Sequence, residues 1–287
     1  MVTMSGTFPK PTWETARFFA DALGLKLEFG KSMSRDPGYL GRDPRARADD
    51  FNDAVRDDRV RAILHFRGGN SAAETLPYLD FAALRRNPKV IAGFSDHSSI
   101  VMAARAAANL VTFLVPPTIN AVPGRRDLTI DSFRRVAFDG EAWIAMPAGG
   151  AEAWRKGTAR GRLVGANLRV LSYLMPTPFR PPLDGAILAW EEIGESLEDV
   201  NMMLASMRNA GVLGTIAGMV VGHLEGMKPK EDGITAKGLV LEKFAKGPVL
   251  KTKAFGHFRP CFTLPLGVTA ALDAAAGTLV LEESAVD

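Results

Sequence analysis

One cysteine in 287 residues, Cys261, leaves no disulfide framework and no thiolate zinc site. That usage fits a reducing compartment. No apolar run approaches the roughly 18 residues that a membrane span requires, so no membrane partner is expected. The early residues carry Glu14 and Asp21 and no apolar h-region, so no secretory signal is expected. Basic residues are not grouped: 35 Lys and Arg face 32 Asp and Glu, a net charge of +3. Three excess charges on a chain this long make no phosphate-binding surface, and nucleic acid is not an expected partner. Histidine is scarce, four in all, and none stands at metal-ligand spacing. His223 and Glu225 are too isolated to hold zinc, so no metal is expected.

What is present is the balance of an ordinary globular protein, 47% apolar and 23% charged. At roughly 100–200 residues per domain, the length suggests two domains. Trp13 to Leu25 carries Ala16, Phe19, Ala20 and Leu23 at helical spacing, and Leu25 to Phe29 alternates like a strand. Arg45 to Asp57 reads as a charged amphipathic helix with Phe51 and Val55 inward. Three short apolar strands follow at Val60–Phe66, Pro88–Gly93 and Leu110–Val115, with helix-like stretches between them. That alternation predicts a parallel sheet with helices on both faces. After about residue 135 the rhythm changes, and Pro147–Gly150 is a turn-rich break. Beyond it lie strands at Ala186–Trp190, Ile216–Val221 and Leu279–Glu282, with an amphipathic helix over Ser196–Ala210. The reading is a domain over 1–140, a linker over 141–157 and a smaller α/β or β-rich domain over 158–287.

The strongest chemical feature is Gly93-Phe94-Ser95-Asp96, which ends an apolar strand and opens a helix. A serine on such a turn is lifted out of the sheet, near free helix N–H groups that can hold an oxyanion. The alternative is that Ser95 or Asp96 is simply an N-cap. Gly68-Gly69 ends the preceding strand and would let backbone N–H groups approach a ligand. If the two strands are neighbours, the N–H groups of Gly69 and Asp96 could share an oxyanion, because parallel strands line a ligand crevice with their carboxyl ends. The alternative for Gly68-Gly69 is an ordinary turn. A serine nucleophile needs a base. His65 lies inside a strand, and His97 points away from Ser95 as neighbours on a helix start do. His223 and His257 sit at strand or loop ends and are the better candidates, and spacing leaves both open. An orienting carboxylate is available at Glu191, where the strand Ala186–Trp190 runs into Glu191-Glu192, unless that strand end is merely solvated. Cys261, between Pro260 and Phe262, reads as a small buried hydrophobe.

Taken in order, these pieces resemble the LD-carboxypeptidase family of serine peptidases, which includes the microcin C immunity peptidases. Arg67-Gly68-Gly69 with Leu76-Pro77-Tyr78-Leu79-Asp80, Asn87-Pro88-Lys89 with Gly93-Phe94-Ser95-Asp96, and Gly161–Leu168 are similar to the family's motifs. So are Ile187–Glu192, and Gly256-His257 with Leu264-Pro265-Leu266-Gly267. The resemblance implies an N-terminal Rossmann-like parallel-sheet domain and a smaller C-terminal β-rich, barrel-like α/β domain. It implies Ser95 as nucleophile, His257 as general base in preference to His223, and Glu191 as the orienting carboxylate. It implies the N–H groups of Gly69 and Asp96 as oxyanion hole, and a cytoplasmic homodimer without cofactor.

The activity so implied is hydrolysis of the amide before a C-terminal D-amino acid of a muropeptide, for which Arg67 is a suggested carboxylate partner. The sequence departs from the family at several points. The first strand is shortened to Met1–Gly6, Ala166 replaces a glycine, His97-Ser98-Ser99 replaces an apolar-Thr-Ala run, and Pro116-Pro117 stands where Gly-Pro is common. Asn70 after Gly-Gly is closer to the microcin-immunity branch, and Arg67 to the muropeptide branch. A second reading is therefore cleavage of the amide of an aminoacyl-nucleotide, with Trp154 and Trp190 as stacking candidates. A third, from another class, is a catalytically silent peptide-binding protein on the same scaffold.

Overall fold

Helix α1 (Lys10–Ala22) buries Ala16, Phe19 and Ala20, the i, i+3, i+4 stripe that anchors a surface helix. Helix α2 (Pro44–Arg56) is started by Asp43, whose carboxylate accepts the Ala46 N–H, and by Pro44 at its first position. Its Phe51 and Val55 are fully buried. These elements belong to a computed structural model that describes residues 10–34, 43–65, 67–116, 122, 124, 126–142, 145–146, 150–227 and 233–286.

The first sheet is built from β1 (Ala62–Leu64), β2 (Val90–Gly93) and β3 (Thr112–Leu114), paired in parallel. The crossovers run through α3 (Phe81–Arg86) and α4 (Ser98–Ala108), and α5 (Leu128–Ala137) follows β3. Every residue of β3 is buried, as expected of a parallel strand covered on both faces.

The chain then enters a second, eight-stranded mixed sheet. Strands β4 (Ala145–Met146) and β5 (Glu152–Arg155) form its two edges. Strand β6 (Thr158–Asn167) leads into α6 (Leu168–Leu174), then β7 (Ile187–Ile193), α7 (Leu197–Asn209) and α8 (Val212–Thr215). Strand β8 (Gly218–Glu225), α9 (Ala236–Lys243) and β9 (Val249–Lys251) follow, and β6–β7–β8–β9 pair in parallel. A long segment then leads to β10 (Leu264–Leu266), β11 (Thr269–Asp273) and β12 (Thr278–Leu281). Burial in β6 alternates over Thr158–Arg162, the half that pairs with β11, and is continuous from Leu163, the half that pairs with β7. The strand thus passes from a half-exposed to a fully covered position within ten residues.

Apart from Leu25–Phe29, the helices and strands expected along the chain are found, within a few residues at their ends. Three expectations need correction. Leu25–Phe29 pairs with no strand among the described residues. The stretch 141–157 is not a free linker, because β4 and β5 both hydrogen-bond into the second sheet. The C-terminal part does not stay in the second sheet either. Strand β10 pairs antiparallel with β3 and is the fourth strand of the first sheet among the described residues. Thr263 N–H and Cys261 N–H donate to Ser132 and Thr129 on α5, which fastens this return segment to the first half. Of the turn-rich break at Pro147–Gly150, residues 147–149 lie outside the described residues. Among the described residues no helix is long and apolar enough to cross a membrane.

Candidate active site

Ser95 sits between the end of β2 and α4, in a single 3-10 turn over Ser95–His97. Its φ is +59°, the left-handed region. For a non-glycine residue that conformation costs about 1–3 kcal/mol and must be held by its surroundings. Ser98 Oγ donates to the Ser95 carbonyl at 2.5 Å, and Ser99 Oγ donates to the Asp96 carbonyl at 2.6 Å. Glycine clears the space on both sides. A Cβ on Gly68 would lie 2.8 Å from Ser95 Oγ, and one on Gly93 would lie 3.0 Å from His97 Cβ. Neither Ser95 nor Asp96 makes a side-chain cap of α4, so the capping alternative is not what the turn does. The Asp96 carboxylate instead accepts from the N–H groups of Ser71 and Ala72, in the loop after β1.

His257 reaches Ser95 from the segment between β9 and β10. Gly256 before it has a φ of +147°, and a Cβ there would fall 2.5 Å from His223 Cβ. Arg259 just beyond donates to Asp127, which caps α5. His257 Nε2 lies 2.9 Å from Ser95 Oγ, and Nδ1 lies 2.5 Å from Glu191 Oε2. A carboxylate only accepts, so Nδ1 carries the proton and Nε2 is left to accept from the serine hydroxyl. Phe94 stands edge-on to the imidazole with ring centres 4.9 Å apart.

Glu191 is completely buried on β7. The β7–β8 register slips there: Trp190 faces Val221 but Glu192 faces Leu224, so Gly222 and His223 together oppose Glu191. That is the geometry of a bulge in β8. Two residues without an assigned role in the sequence reading complete the site. Asn167, which caps α6, donates its amide to Glu192 at 2.8 Å and to Glu191 at 3.3 Å. Glu192 also accepts the N–H groups of Arg169 and Ile193. Burial nonetheless raises the pKa of its carboxyl. The adjacent Glu191-Glu192 pair at a buried strand end was the only signal that a second carboxylate belonged here, since only a supplied network makes two such groups tolerable.

The remaining candidates are dispersed. His65 and His97 are buried and stacked on each other, ring centres 4.7 Å apart, beneath the turn that carries Ser95. Burial drives the His65 pKa well down and that of His97 down to about 3, with the Arg47 charge adding to the latter. His223 faces the ring of Phe258 and makes no bond to Ser95. Gly69, Arg67 and Asn70 lie exposed on the loop after β1. Trp190 is fully buried, so its ring offers no face to a substrate and it is not a binding residue. Trp154 is half-exposed and donates to Glu152. Cys261 is buried and its thiol is pushed up to about 12 by burial, which excludes a thiolate nucleophile.

The arrangement can deprotonate a serine at the N-terminus of a helix, beside a glycine loop, with the imidazole tautomer set by a buried carboxylate. Residues 1–114 match the sequence profile of the LD-carboxypeptidase N-terminal domain, and residues 160–272 that of the LD-carboxypeptidase C-terminal domain. A probable murein peptide carboxypeptidase of Bacillus subtilis is 30% identical over 275 residues, covering 94% of this chain and 86% of that one. The microcin C7 self-immunity protein MccF of Escherichia coli is 26% identical, covering 89% and 83%. A solved structure of wild-type MccF superposes with a TM-score of 0.89, at 22% identity over 100% of this chain and 96% of that one. The muramoyltetrapeptide carboxypeptidase of Oxalobacter formigenes superposes with a TM-score of 0.84, at 24% identity over 99% of both chains. The two-domain architecture is therefore one that solved proteins share.

Proposed function

The chain belongs to the LD-carboxypeptidase family, and from that premise we propose how its site works: Ser95 is the nucleophile, His257 the general base and Glu191 the carboxylate that orients the base. As a serine-type carboxypeptidase it hydrolyses the amide before a C-terminal D-amino acid of a muropeptide. Ser95 Oγ attacks the carbonyl carbon while His257 Nε2 takes its proton. The oxyanion is received by the N–H groups of Gly69 and Asp96, at the N-terminal end of α4. His257 returns the proton to the leaving amine as the C–N bond breaks. Water then attacks the acyl-enzyme, gives its proton to His257, and Ser95 is released with its proton restored.

The observation that carries this reading is the pair of contacts at 2.9 and 2.5 Å that joins Ser95, His257 and Glu191 across three separate segments. A silent binding protein has no need of a buried carboxylate, an imidazole and a strained serine in line, and we set that reading aside. The substrate class is supported by the names of the Bacillus and Oxalobacter relatives. The second reading, cleavage of an aminoacyl-nucleotide amide, is favoured by the match to MccF. Of its two stacking candidates, Trp190 is too deeply buried to stack on a base, and Trp154 is half-exposed. Arg67 and Asn70, exposed on the glycine loop, stay in the proposal as groups that meet the substrate. So does a cytoplasmic homodimer, which sedimentation of the purified protein tests.

The test is mass spectrometry of two substrates incubated with wild type and with Ser95→Ala. One is a muropeptide tetrapeptide ending in D-Ala; the other is an aminoacyl sulfamoyl-adenylate. Loss of D-Ala with wild type only is the expected result. Cleavage of the adenylate alone would move the protein to the second reading, and cleavage of neither by folded protein would overturn the assignment of the three residues.

A further inference from the structure

The proposed chemistry uses the backbone of Asp96 but not its side chain, and that side chain is buried. Its Oδ2 accepts two hydrogen bonds from the loop after β1, Ser71 N–H at 2.9 Å and Ala72 N–H at 2.8 Å. Its Oδ1 accepts from the Tyr173 hydroxyl at 3.3 Å. Ser71 is held a second time, because Arg47 Nη1 on α2 donates to its Oγ at 3.1 Å, and Arg47 is itself buried. One carboxylate thus joins the nucleophile turn, the Arg67–Ser71 loop and α6, and α2 reaches it through Ser71.

The location gives this junction a consequence. Ser71 lies two residues beyond Gly69, and Gly68 leaves no room for a side chain beside Ser95: a Cβ added there would lie 2.8 Å from Ser95 Oγ. Gly68, Gly69 and Asn70 make no regular secondary structure, and Gly69 and Asn70 are exposed. A glycine loop of that kind has little of its own to fix its position. The first fixed points after it are the two N–H groups that Asp96 receives. Asp96 also belongs to the turn that carries Ser95, so loop and nucleophile are referenced to the same carboxylate. A misplacement of about 1 Å between reacting groups costs roughly 100-fold in rate, so the spacing of an oxyanion donor from the nucleophile matters.

We propose that the Asp96 side chain, supported by Arg47 through Ser71, is a positioning residue that sets the spacing between the nucleophile and the oxyanion-binding glycine loop. This rests on the reading of Ser95 as nucleophile and Gly69 as oxyanion donor. The role is one of length rather than charge: an acceptor oxygen must lie one methylene from the Asp96 Cα. Asn keeps that length and one such oxygen; Glu keeps the charge and moves the oxygens outward.

The experiment compares Asp96→Asn and Asp96→Glu with wild type, in steady-state kinetics and in amide hydrogen exchange over residues 67–72 of the full chain. Asp96→Asn should retain kcat within about fivefold and leave exchange unchanged. Asp96→Glu should lose kcat by about 100-fold, the effect of removing an oxyanion donor, with KM within twofold, and should speed exchange in the loop. The reverse order, Glu active and Asn inactive, would overturn the proposal in favour of a charge effect. Two variants as active as wild type, or a loss of kcat with no change in loop exchange, would overturn it also. Hydrogen exchange needs no substrate, so it separates failure of the brace from failure of the proposed reaction.

Discussion

A single methyl group at position 68 should disable the site without unfolding the protein. Ordinary contacts of a Cβ begin near 3.4 Å, but a Cβ on Gly68 would lie 2.8 Å from both Cβ and Oγ of Ser95. Something must move by about 0.6 Å. Ser95 has little room to yield, since its backbone is held at a φ of +59°, its carbonyl by Ser98 and its hydroxyl by His257. The alternative is that the loop yields, but its far end is tied to Asp96. Either displacement separates Ser95 Oγ from the oxyanion donors proposed for it, the N–H groups of Gly69 and Asp96. A misplacement of about 1 Å costs roughly 100-fold in rate, so Gly68→Ala should lower kcat by about 10- to 100-fold, or roughly 1.4–2.7 kcal/mol of transition-state stabilisation. Stability should change little, because the loop faces solvent on one side. Hydrolysis kinetics and a thermal melt on the same preparation make the assay. Gly214→Ala serves as control, since its Cβ would meet nothing within 4 Å. A Gly68→Ala protein with kcat within twofold of wild type would refute the argument.

Two further outcomes follow from the geometry. Glu191→Gln places an amide against His257 Nδ1, and donation from that amide drives the ring proton onto Nε2, where it can no longer accept from Ser95. A fall in kcat of about 10³- to 10⁴-fold with the fold retained is expected, and a loss below tenfold would remove Glu191 from its role. Acid stability should report the stacked His65–His97 pair. Both folded pKa values lie below the ordinary 6.5, that of His97 at about 3. The unfolded chain therefore takes up protons first, and the stability present above pH 6.5 is lost progressively as pH falls toward about 3. Urea midpoints between pH 7.5 and 4 should fall steeply for wild type and less steeply for the His65→Phe, His97→Phe double variant, where Arg47 remains as the nearby charge. Equal slopes would show that the pair does not titrate on unfolding.

Local pattern carried much of this protein. The apolar strands before Arg67 and Ser95, the helix that opens after Asp96 and the capped helix at Ser196 are set by residues a few positions apart. Side-chain period and turn chemistry act at that range, so each was legible. The turn that carries Ser95 was legible for the same reason, because strand, glycine, serine and helix start are contiguous. The choice of His257 over His223 was not. It came from resemblance, and in the structure it depends on bonds that span 162 and 66 residues. No local spacing encodes such a bond.

Other decisions belonged to the tertiary structure alone. Trp190 and Glu191 are neighbours on one strand, yet the first is core and the second faces His257, and only the sheet and its bulge separate the two fates. Strand β10 reads as part of the C-terminal region but finds its partner in β3, because an open edge of the first sheet accepts its backbone bonds. The Asp96 side chain reads as a possible cap in sequence, and Asn167 carries no role there. They become supports of the site because burial removes water as an alternative partner and leaves each polar atom only the neighbours that the fold supplies.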